Sequence, residues 1–177
     1  MDADFAAALA EWHDFYAAVA GAAATLLGLL FVALALSPAI MADAGPAGLR
    51  VWSGQTFHAF LVVLGIALAG LIPAESPRGL AVALLVLGAL GAARVAGDLR
   101  RVRADPDPAW SGRRALWRFA APAAAYALCL WAGAEAWRSD TAALGWLVAV
   151  FFLLTMGAAS TCWDLLKAIG ARQRPEP

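Results

Sequence analysis

An all-α bundle that crosses a membrane about five times is the fold this chain predicts, and three observations predict it. Its residues are 63% hydrophobic and only 15% charged, a balance far from that of an ordinary soluble domain. The apolar residues run in blocks of the length that about 30 Å of hydrocarbon demands, roughly 20 residues of helix each. The charged residues collect in the gaps between those blocks. Backbone groups inside lipid must find partners within the protein, so each block reads as a helix. The gaps are too short for a soluble domain, and residues 1–177 read as a single transmembrane domain.

The first span runs from about Asp14 to Leu36. No Lys or Arg precedes it and its apolar run exceeds that of a secretory leader, so it reads as a retained span. Glu11, His13, Asp14 and Tyr16 crowd its start, where acids suit the positive end of the helix dipole. Ala17, Gly21, Ala24 and Gly28 follow at intervals of four, three and four and so form one narrow, smooth face. Such a face lets a second backbone come close, which is how helices associate in lipid, and glycine is otherwise a poor helix residue. Gly65 with Ala69, and Gly88 with Ala92, offer faces to meet it.

The second span, Val51 to Ile72, carries Gln55 and His58 in its first turns. The third, Gly79 to Gly97, is the weakest. Its clean apolar stretch ends at Ala93, so a full crossing needs Arg94 to extend toward the headgroups. The fourth, Ala115 to Trp137, contains Pro122, which has no N–H for the carbonyl of Arg118 and so tends to kink the helix there. That carbonyl wants a donor, and Gln55 or His58 supplies one if the second and fourth spans are neighbours. The fifth span, Ala142 to Leu166, ends with Ser160, Thr161 and Asp164.

Lys and Arg choose the orientation. One side holds Arg78 and Arg138; the other holds Arg50, then Arg100, Arg101, Arg103, Arg113 and Arg114, then Lys167, Arg172 and Arg174. The N-terminus is therefore expected outside and the C-terminus in the cytoplasm. Trp12, Phe15, Tyr16, Trp137 and Trp146 then form an outer aromatic belt, and Trp52, Trp110, Trp117 and Trp163 an inner one, with Trp131 a packed or lipid-facing exception.

The run "GAAATLLGLLFVALALS", then "LR", a second helix and "LIP", resembles a group of small bacterial integral membrane proteins. Their first helix has the form small-A-x-L-x-G-L-x-F-V-A-x-S. Ala24, Leu26, Gly28, Leu29, Phe31, Val32, Ala33, Leu71, Ile72 and Pro73 carry the match over about the first seventy residues. The resemblance implies a multi-pass protein of the bacterial inner membrane and transfers no activity.

Polar groups within spans are the remaining functional signal, because they are costly in lipid. Gln55, His58, Arg94, Arg118 and Asp164 fall at one depth, at the basic end of four spans, and are expected to meet as an inner polar cluster. The bland reading keeps the arginines at the headgroups and His58 as a hydrogen-bonded packing residue. Glu11, Asp14 and Glu135 make a weaker outer acidic site. The two cysteines, Cys129 and Cys162, differ in depth and belong to no metal-ligand pattern. No nucleophile stands at motif spacing from a histidine and no phosphate loop is present, so no catalytic residue, cofactor or metal is expected. The basic loop is too short and mixed in sign for nucleic acid.

Two readings follow. One is a structural or regulatory membrane subunit that works by helix packing, against the bilayer, a second copy or another membrane protein. The other is a small oligomeric channel or transporter with a polar cytoplasmic vestibule. The mid-membrane stretches Leu26 to Leu36, Leu61 to Leu71 and Leu80 to Leu90 are almost wholly apolar, which favours the first. The orientation has a direct test. An impermeant thiol reagent applied outside should label a cysteine placed at Asp4 or Asp140 and spare one at Asp105 or the C-terminus; reversed labelling would refute it.

Overall fold

The computed structural model describes residues 2–35, 47–73, 76–104 and 113–172, all of its regular structure helical. The helices are α1 (Asp2–Glu11), α2 (His13–Ala35), α3 (Ala47–Gly70), α4 (Pro77–Ala104), α5 (Arg113–Trp137) and α6 (Ala142–Arg172). Among the described residues, four stretches, His13–Ala35, Ser53–Gly70, Pro77–Val102 and Ala142–Trp163, are long and apolar enough to cross a membrane. This is the make-up of a multi-pass membrane protein. Leu36 and residues 105–112 of the basic loop, Trp110 among them, lie outside the described residues, as do the side chains of Trp52 and Trp117.

Local chemistry sets the helix ends. Ser76 caps α4 by accepting the Gly79 N–H at 3.0 Å, and Pro77 occupies the first helical position, where its missing N–H costs nothing. The third span thus begins before Gly79 and continues past Gly97, which removes its apparent shortness. Between α5 and α6 the Asp140 N–H returns to the Glu135 carbonyl and the Ser139 N–H to that of Ala136. This wraps the end of α5 around a left-handed residue, here Ser139 at φ 59°. Asp140 then caps α6 through its carboxylate and the Ala142 N–H, 2.8 Å apart.

Helix α1 precedes the first expected span, which begins at about Asp14, and was not anticipated from the sequence. It is too short to span, yet Phe5 and Leu9, four apart on one face, are buried. It touches α2 and α4. The chain turns at Trp12 into α2, where Trp12, Phe15 and Tyr16 stack with one another and with Phe151 of α6. Tyr16 is fully buried and lies against Gly70 of α3. It is an anchor of the bundle more than a member of an interfacial belt. Trp131, Trp137, Trp146 and Trp163 are exposed.

Helices α3, α4, α5 and α6 close a ring in which each packs on the next and α6 returns to α3, while α2 lies against the outside of α3. The tightest seam joins α4 to α5. Ala125, Cys129, Ala132 and Ala136 recur on α5 at intervals of four, three and four, and each is fully buried. Across the seam, Gly91 takes the ring of Tyr126, Gly88 the side chain of Leu130, and Gly133 that of Leu85. The Cys129 thiol donates to the Leu84 carbonyl at 3.4 Å. Small residues on both helices thus bring two backbones together, the arrangement expected where burial from water offers no drive between helices.

The face formed by Ala17, Gly21, Ala24 and Gly28 behaves differently. All four are exposed on the chain, and a methyl group added at Gly21 or Gly28 would meet nothing within 4 Å. Helix α2 instead docks through Tyr16, Ala20, Ala23 and Leu30. The expected pairing with Gly65 and Gly88 does not occur inside the chain, since those glycines face Leu87 and Leu130.

Gly91→Ala should therefore lower thermal stability in detergent by about 1–3 kcal/mol, because the Tyr126 ring has nowhere to retreat. Gly28→Ala should be neutral or stabilise by up to about 1 kcal/mol through helix propensity. Equal effects of the two would contradict this packing.

Candidate functional site

The polar end of the bundle lies where α2, α4 and α6 finish and α3 and α5 begin, and α3 divides it into two compartments. The first lies between α3, α5 and α6. It is a cavity of about 70 Å³ whose polar lining comes from Gln55, Thr56, Arg118, Ser160 and Thr161, room for a few water molecules. Pro122 is the local cause of its polarity. It leaves the Arg118 carbonyl without an intrahelical donor, and Gln55 Nε2 donates to that carbonyl across the ring at 3.3 Å. Of the two donors the sequence offers, Gln55 fills the role. Ser160 and Thr161 return their hydroxyls to the Gly157 carbonyl at 2.8 and 2.9 Å, which satisfies them within their own helix.

The second compartment is a groove of about 710 Å³ bordered by α2, α3 and Arg94 of α4. Its polar members are Ser53, His58 and Arg94. Arg94 reaches across to α3, where a Cβ on Gly54 would stand 2.7 Å from its Nη2. The His58 ring lies 6.3 Å from that of Tyr126, and its Nε2 is buried with no hydrogen-bond partner.

Asp98 is the most deeply buried charged residue among those described, with 1% of its surface exposed. Arg101 Nη1 donates to its Oδ1 at 3.2 Å, and Arg94 Nε lies 3.5 Å from its Oδ2. A carboxylate withdrawn from water needs such partners, and losing one costs roughly 3–5 kcal/mol. The i, i+3 and i, i+4 spacings in "RVAGDLRR" are the signal for this triad, which shares Arg94 with the expected cluster and adds Asp98 and Arg101 from outside it.

The five residues expected to meet therefore divide. Gln55 and Arg118 share the cavity, and His58 and Arg94 share the groove. Gln55 and His58, three apart, look into different compartments on either side of α3. The side chain of Asp164 lies outside the described residues.

At the other end, Glu135 pairs with Arg138 at 3.1 Å and is mostly buried. His13 and Asp14 lie 3.3 Å apart, both exposed, and Glu11 is exposed as well. No group of three His, Cys, Asp or Glu among the described residues is placed to hold a metal ion. Cys129 is buried and Cys162 half-buried, both free thiols.

Comparison with protein-family models, curated proteins and solved structures finds no match to this chain. The site must speak for itself.

The Gln55 bridge can be tested by a double-mutant cycle. Gln55→Leu should cost about 1–3 kcal/mol, because it leaves a buried carbonyl unpaired. In a Pro122→Ala background, where the intrahelical donor returns, the same change should cost less than half as much in thermal unfolding. Equal costs in the two backgrounds would mean that the carbonyl does not depend on Gln55.

Proposed function

We propose that this chain is a five-span, non-catalytic subunit of the bacterial plasma membrane, with its N-terminus outside and its C-terminus in the cytoplasm, that acts by helix packing. The observation that carries this reading is the unused face of α2. Glycines at 65, 70, 88, 91 and 133 each oppose a side chain of a neighbouring helix, whereas Gly21 and Gly28 oppose nothing. Gly97, Gly145 and Gly157 are open too, but none belongs to a four-three-four series of small residues along one helix face as these two do. Two glycines cost α2 helix propensity, and a close partner helix in the same membrane recovers that cost.

The fifth crossing rests on α5. It is not among the four stretches apolar enough to cross by composition alone, since Arg118, Pro122, Tyr126 and Glu135 all lie within it. Its position between α4 and α6 explains why less grease suffices: its inward face meets protein and not lipid. A conducting path has less support, because the polar cavity is small and Leu153, Leu154 and Ala59 line it alongside the polar groups.

The test is cross-linking in native membranes. With Cys162→Ala as background, Ala24→Cys should give a disulfide-linked product, with a second copy of the chain or with another membrane protein. Adding Gly28→Leu should reduce that product at least fivefold with the melting temperature of the chain unchanged. Leu29→Ile, on the exposed apolar side, should leave it intact. No product of any mass, or a product indifferent to Gly28→Leu, would overturn the reading.

A further inference from the structure

The groove between α2 and α3 has a chemistry that the helix-packing role leaves unused. Its volume of about 710 Å³ falls within the roughly 300–1,000 Å³ of small-molecule sites. Its walls are apolar, with Phe31 and Leu34 from α2 facing Phe57 and Leu61 from α3. Phe31 and Leu61 are exposed on the outer surface of two spans, so the groove is continuous with the surface that the bilayer wets. A ligand reaches it sideways, from lipid.

The polar end of the groove carries a surplus positive charge. Asp98 is one carboxylate held by two guanidiniums, those of Arg94 and Arg101, which leaves a net charge of one. Arg94 gives Asp98 only its Nε. Its Nη2 lies over Gly54, a lining residue of the groove whose lack of a side chain leaves room for it. A guanidinium edge so presented matches the paired oxygens of a phosphate. His58 is another polar residue of the lining.

We propose that this groove binds one anionic phospholipid, with its phosphate on Arg94 and an acyl chain laid between Phe31 and Leu61. The groove is lined by residues other than the four of the small-residue face of α2, although its Phe31 and Ala35 continue that face one turn further on. It differs from general attraction of a basic surface to anionic lipid, because it assigns one molecule to one site.

Native mass spectrometry of the full chain, stripped of lipid in a neutral detergent, tests it. The wild-type protein should retain one phosphatidylglycerol at a concentration at least tenfold lower than it needs for phosphatidylcholine. Arg94→Gln should reduce that preference to less than threefold, and Arg94→Lys, which keeps the charge but not the paired donors, should give a value between those of the wild type and Arg94→Gln. Ala35→Trp, which fills the groove from an exposed position on α2, should lower retention of both lipids. Arg78→Gln, an exposed arginine at the opposite end of α4, should change nothing. Glycerol phosphate, which has the head without the chains, should fail to displace the lipid at equal concentration; displacement would make this a phosphate site and refute the amphiphile. Equal retention of the two lipids, an unchanged preference in Arg94→Gln, or unchanged binding in Ala35→Trp would each overturn the proposal.

Discussion

The close approach of α4 and α5 is the contact on which the rest of the bundle depends. Lipid tails are as apolar as leucine, so helices within a bilayer gain little by hiding apolar surface and must gain by fit. Each atom pair contributes only about 0.1–0.2 kcal/mol, and the sum grows with the number of atoms brought within reach. Small residues on α5 and glycines on α4 maximise that number at one seam. With α5 held there, its polar features become tolerable: Tyr126 lies in the space at Gly91, and Pro122 finds its replacement donor on α3. A helix as polar as α5 would be a poor resident of lipid by itself.

Charge is managed by the same economy of position. The described charged side chains of the spans collect at two ends, and the middle is left to apolar residues with a few hydroxyls such as that of Thr25. At the basic end α3 acts as a partition, with a small polar-lined cavity on one side and an open groove on the other. Asp98 is the exception in depth, and its two arginines come from its own helix. Its neutralisation therefore does not wait for tertiary packing.

Much of this was legible in the sequence because membrane constraints act residue by residue. Length and apolarity mark α2, α3, α4 and α6, and the consequence of Pro122 for the Arg118 carbonyl follows from covalent chemistry alone. What was not legible depends on which face of a helix meets which neighbour. The four-three-four pattern of small residues occurs on α2 and again on α5, at Ala125, Cys129, Ala132 and Ala136, and composition does not say which is used within the chain. Tyr126 decides it for α5, because its ring needs the space that Gly91 leaves on α4. Gln55 and His58 were expected in one cluster from their shared depth, yet three residues on a helix are enough to straddle the edge of α3. Helix α1 escaped because Phe5 and Leu9 form too short a pattern to register as a span, although four-residue spacing was its signature.

The docking of α2 through Tyr16 carries a consequence for how the protein is made. Tyr16 meets Phe151, so the first long helix to leave the ribosome completes its contacts only when the last one arrives. At roughly 5–20 residues per second, the intervening chain takes on the order of ten seconds to synthesise. During that interval α2 resides in the bilayer with Phe15, Tyr16 and its small-residue face all open. A helix that waits in this state is available to neighbours before its own bundle exists, so any partner that meets α2 can do so during biogenesis and need not wait for a finished protein.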